Sequence, residues 1–195
     1  MILAHSILVR ASRPTPEHRR AFTLVEVIST LTVMAIIGGI ASRIAFQSFA
    51  AMNDASIRFG LHDQLAAAME RIAIELRTIS VQPGSNPVAP DINGATTNSL
   101  SFNAGSSPRT LAQDGSVLRL TGQAGVDTPL ATSISSFVVQ CYNGANAPLP
   151  SAPSPGQLAA VRRIQITLVA SSGGVSETLR TKVFIRSMAA GSGAP

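Results

Sequence analysis

Between Arg20 and Arg43 the chain carries a single charged side chain, Glu26, inside the run FTLVEVISTLTVMAIIGGIAS, residues 22–42. At a helical rise of about 1.5 Å per residue this run reaches roughly 31 Å, enough to span the hydrocarbon core of a bilayer. The rest of the chain must therefore fold while attached to an apolar helix. Composition agrees: 45% of residues are hydrophobic and only 13% charged, the latter about half the usual globular share. A membrane-associated or assembly-prone protein is expected. The formal charge of +5 is uneven. Arg10, Arg13, Arg19 and Arg20 outweigh Glu17 in residues 1–21, where they read as topogenic charge before a span. The basic pI is thus weak support for a nucleic-acid partner.

Residues 1–21, with Pro14 and Pro16, have no core-forming period and read as a leader. After the apolar run, Ile57, Leu61, Leu65, Met69, Ile72, Leu76 and Ile79 recur at three- and four-residue steps, which predicts one buried helical face. Arg58, Asp63, Glu70, Glu75 and Arg77 are assigned largely to the other side. With no proline between Phe22 and Gln82, one helix or two collinear ones are expected over residues 22–80, ended by Pro83-Gly84. Residues 22–42 form its membrane or assembly half and 43–80 its amphipathic half. Residues 81–188 read as β-rich. Strands are expected at Ser99–Asn103, Ser116–Thr121 and Ile134–Tyr142. A hairpin follows, in which Ile164, Ile166 and Leu168, then Leu179, Thr181, Val183 and Ile185, alternate with polar or exposed positions. Residues 82–98 and 143–157 are expected to be loops, and 189–195 a frayed tail. The fold class is α+β: a long N-terminal helix packed on an antiparallel β-sheet domain.

A carboxylate at membrane depth costs about 2.5–3.5 kcal/mol on insertion scales. A cut between Ala21 and Phe22 would place a new α-amine one turn from Glu26, at i and i+4. The carboxylate would also stand at the positive end of the helix dipole. The amine of a neighbouring subunit would serve equally well. The plain alternative is a glutamate tolerated near the headgroups.

The residues around this point carry a resemblance. Arg19-Arg20-Ala21, then Phe22-Thr23-Leu24-Val25-Glu26, then an apolar helix, resembles the processing site of type IV prepilins and type II secretion pseudopilins. That family usually has glycine before the cut, where this chain has Ala21. The resemblance implies cleavage by an inner-membrane prepilin peptidase between Ala21 and Phe22, N-methylation of Phe22, and recognition of partner subunits through Glu26. It also implies a single-pass inner-membrane protein with a periplasmic C-terminal domain, assembling through its helix into a pilus or pseudopilus. The stretches QLAAAMERIAIELRTI and VRRIQITLVASSGGVSETLRTKVFIRS are similar, more loosely, to minor pilins and minor pseudopilins.

Two other readings stand beside this one. Gly39-Ile40-Ala41 and Ser48-Phe49-Ala50 are small-x-small sites that would suit conventional export. From Leu100 onward, seven basic residues face Asp114, Asp127 and Glu177. Arg163, Arg180, Lys182 and Arg186 could thus form a DNA- or surface-binding face, although a solvated strand face is the simpler expectation. Nucleic acid is not an expected partner, because few aromatics accompany these basics. Gly38-Gly39 suits either close helix packing or a soft point that unwinds.

No catalytic residue, cofactor or metal is expected. Phosphate-loop and metal-ligand spacings are absent from the sequence. Cys141, the lone cysteine, reads as a buried strand residue. His62, the only histidine after the leader, reads as a solvated or partly packed helix residue. Asp91 alone does not make a calcium loop.

Overall fold

The computed structural model describes residues 23–85, 88–122 and 125–186. The leader, the Ala21–Phe22 junction and the 189–195 tail lie outside the described residues. One helix, α1 (Leu24–Arg77), is followed by strands β1 (Ile92–Ala95), β2 (Ser99–Ala104), β3 (Ser107–Asp114), β4 (Val117–Thr121), β5 (Asp127–Ala131) and β6 (Ile134–Asn143). The short helix α2 (Pro155–Ala159) and strands β7 (Val161–Ser172) and β8 (Val175–Phe184) complete the order. The class is α+β. The chain divides into two units, Met1–Ser48 and Phe49–Pro195.

In the first unit, α1 is apolar on all sides and its side chains are exposed, Leu24, Ile28, Leu31, Met34 and Ile37 among them. It is the one helix among the described residues long and apolar enough to cross a membrane.

In the second unit the expected stripe is buried. Leu65, Ile72 and Leu76 are fully inaccessible, Leu61, Met69 and Ile79 nearly so, and Ile57 packs partly buried against the same core. Their cover comes from both sheets. β1 to β5 form a five-stranded antiparallel sheet in chain order, and β6 to β8 a three-stranded one. Leu100, Phe102, Leu111 and Leu118 enter the core from the first, and Phe137, Ile164, Ile166 and Leu168 from the second. Each such side chain contributes about 1.5–3 kcal/mol by leaving water. The β7–β8 hairpin has the expected alternation, and Gly173 and Gly174, both at positive φ, close it between Ser172 and Val175. A two-residue loop with two left-handed positions matches the twist of the flanking strands.

Several expectations need correcting. The helix stops at Arg77, not near residue 80. The Thr78 and Ile79 amides bond back three residues, Ile79 then bridges Ala104, and the Ser80 amide reaches Asn103 O. Sheet pairing thus takes the chain before Pro83 can end the helix. The segment 82–98 is not all loop, because β1 pairs with β2 inside it, and α2 begins within 143–157. β3 and β5 were not anticipated. Leu111 is the one fully buried residue of β3, and β5 holds Pro129 at the sheet's outer edge, where a missing donor is tolerated. Glu75, assigned to the solvent side, is buried.

Candidate functional site

Thr23 caps α1. Its Oγ1 accepts the Glu26 amide at 3.3 Å, and its carbonyl accepts the amides of Glu26 and Val27. Thr23-x-x-Glu26 is a capping-box spacing, with the acid at the third helical position. Sequence reasoning missed this signal, although it was legible, and it gives Glu26 a local role at the positive end of the helix.

Glu26 is also singled out by what its neighbours do. Ser29 Oγ donates to Glu26 O, Thr30 Oγ1 to Glu26 O and Val27 O, and Thr32 Oγ1 to Ile28 O, all within 3.0 Å. These hydroxyls are satisfied inside the helix and make no demand on a partner. The Glu26 carboxylate has no partner among the described residues and is exposed. Its nearest neighbours on the helix surface, Thr23, Ser29 and Thr30, are small and uncharged, so among the described residues it is the only charged side chain before Arg43. At Gly38 and Gly39 a Cβ would meet nothing within 4 Å. No segment among the described residues approaches them closely.

In the second unit α1 has a further face. Phe49, Met52 and Phe59 are 69%, 69% and 70% exposed, and Ile74 is exposed on the same side. At 100° per residue they lie roughly opposite Leu61, Leu65 and Ile72. The helix is therefore apolar toward its own sheets and apolar again away from them. Beside this stripe, Ala51, Asp54, Ala55, Arg58, Phe59, His62 and Glu177 of β8 line an open groove. His62 Nδ1 stands 3.2 Å from Glu177 Oε1 with its side chain half exposed. It is a partly solvated helix residue, as expected.

The remaining candidates fall apart spatially. Cys141 is buried on β6 and free, and burial pushes its thiol up to about 11, away from the reactive thiolate. Asp91 accepts from the Asn103 side-chain amide at 2.9 Å. Among the described residues no group of three or more His, Cys, Asp or Glu could hold a metal ion. The basics do gather: Arg163 sits opposite Phe184 and Lys182 opposite Gln165 on the outer face of β6–β8. Arg163 Nη1 and Lys182 Nζ both reach Asn146 Oδ1, at 2.7 and 3.5 Å, and the two cations lie over the rings of Phe184 and Tyr142. Asn146 and Tyr142 join this cluster from positions distant in sequence.

No known family model and no curated protein matches the chain.

Proposed function

We propose that the chain is a pilin-like structural subunit without enzymatic activity, a minor pilin or minor pseudopilin. Prepilin peptidase cuts it between Ala21 and Phe22 and methylates the new N-terminus. The mature subunit then sits in the inner membrane with its β domain in the periplasm. From there it enters a pilus or pseudopilus by packing α1 against the helices of neighbouring subunits.

The observation that carries this reading is the second apolar stripe. A membrane anchor needs apolar surface only across the bilayer, but the unit that holds the sheets has its own exposed apolar side chains, Phe49, Met52 and Phe59, on the side of the helix turned from the core. Apolar surface of that kind marks an interaction face. Glu26 adds the second element: a lone charge within an otherwise uncharged helix run, one turn from the amine that cleavage would release. In a low-dielectric site such a pair is far stronger than in water.

The test is the mature N-terminus, read by mass spectrometry from membranes that contain the peptidase. Methylated Phe22 is expected. A terminus near Ser42 or Ala51 would make the chain a conventionally exported protein. Ala21→Gly should be processed at least as fully as the native chain and Ala21→Leu should stay full length. Equal processing of both would move the junction elsewhere.

A further inference from the structure

We propose that the free edge of β8 is a strand-pairing surface for an extended segment of a partner protein that alternates acidic with apolar side chains. Three independent observations define the partner.

The first is the edge itself. In the order β6-β7-β8, no strand among the described residues flanks β8 on its far side, along the ten residues Val175–Phe184. The amides and carbonyls aimed that way form a template for an added strand.

The second is charge. On the outer face of β8 the exposed side chains include Thr178, Arg180 and Lys182, and across from the last two stand Thr167 and Gln165. Arg163 follows in the next row, opposite Phe184. None of Arg163, Arg180 and Lys182 has an acidic partner among the described residues. An amide oxygen and two aromatic rings hold Arg163 and Lys182 instead. Opposite charges across neighbouring strands attract and like charges repel, by roughly 0.2–1 kcal/mol per pair. A second copy of β8 brings no acidic side chain to this face, because its own exposed positions are Ser176, Thr178, Arg180, Lys182 and Phe184. Residues 187–195 contain no acidic side chain. Neither fits; a segment with glutamate or aspartate at every other position does.

The third is burial. Ile164, Ile166 and Leu168 of β7 are fully covered, whereas Leu179 and Thr181 of β8 remain half-buried. Cover is incomplete in the middle of β8, between the buried Val175 and Val183, beside the groove that Ala55, Phe59 and Glu177 line. Because successive side chains on a strand point to opposite faces, a segment with its acids outward turns its intervening residues inward, beside Leu179. Those residues are apolar.

The experiment titrates the full-length chain in detergent micelles with a peptide as long as β8, alternating glutamate with valine and threonine. Binding is read by titration calorimetry and by backbone amide exchange. Slowed exchange at alternate β8 amides is expected. The double variant Arg180→Glu with Lys182→Glu should lose about tenfold or more in affinity for this peptide and gain it for the lysine counterpart. Both side chains are exposed, and unchanged exchange in β6 and β7 confirms that the variant is folded. Unaltered β8 exchange, equal binding of the glutamate and lysine peptides, or uptake of oligothymidylate in place of the glutamate peptide would each overturn the proposal.

Discussion

The carboxylate of Glu75 lies 2.7 Å from Arg71 Nη2, one turn earlier on α1, and is buried while Arg71 is more than half exposed. Its second oxygen faces Arg109 Nε of β3 at 3.9 Å, beyond hydrogen-bond range. A buried charge is tolerated only through such partners. Arg109→Met leaves Glu75 with a solvent-exposed cation alone and should cost about 1–3 kcal/mol. Glu75→Met, which removes the charge at similar volume, should change stability by less than about 1.5 kcal/mol. Urea denaturation followed by circular dichroism measures both, and a larger loss for Glu75→Met contradicts the account.

Glu26 has two separable roles, one at the helix start and one as a charge. Glutamine satisfies a capping box as well as glutamate does. Glu26→Gln should therefore be inserted and processed normally yet crosslink poorly to partner subunits. Thr23→Ala weakens the cap by about 1 kcal/mol and should leave crosslinking intact. Normal co-assembly of the glutamine variant would reduce Glu26 to a helix-start residue.

The two faces of α1 in the second unit should respond oppositely. Leu65 is fully buried, and Leu65→Ala should cost about 2–5 kcal/mol. Phe59→Ser on the exposed stripe should leave the unfolding free energy within about 0.5 kcal/mol of native but lower the yield of assembled filament. Filament yield unaffected by Phe59→Ser would remove the stripe from the interface.

The Cys141 thiol sits at about 11 in the folded chain against an ordinary 9.0. Below pH 9 both states keep the proton and stability does not depend on it. Between pH 9 and pH 11 the unfolded chain ionises first, so stability falls, by about 2–3 kcal/mol in all. Above that the loss levels off. The Cys141→Ala chain should lack this component, as the difference between the two denaturation curves across that range would reveal.

The buried stripe on α1 and the β7–β8 alternation were legible because each is a strong period with a long run of apolar side chains. β3 and β5 were not, because SPRTLAQD and DTPLA bury one residue each and owe their strand form to backbone pairing with β2 and β4. Glu75 was misplaced by its chemistry. It follows Ile72 by three residues and Ala68 by seven, which is the core face, and Arg71 one turn before it was the available hint. The cluster of Asn146 and Tyr142 with Arg163 and Lys182 has no sequence signal, since strand register alone assembles it. The Ala21–Phe22 junction, read from the sequence, lies outside the described residues.

The way the two sheets share one core has a consequence for the order in which the chain is made. Each strand from β1 to β5 pairs with its immediate neighbour in sequence, so that sheet can form from short loops as it emerges. The α1 stripe is different: the His62–Glu177 contact spans 115 residues, and Ile164, Ile166 and Leu168 also come late in the chain. Until β7 and β8 have been synthesised, Leu65, Ile72 and Leu76 lack that half of their cover. During biogenesis the helix therefore presents apolar surface on both flanks, and completion of the last hairpin leaves only one of them open.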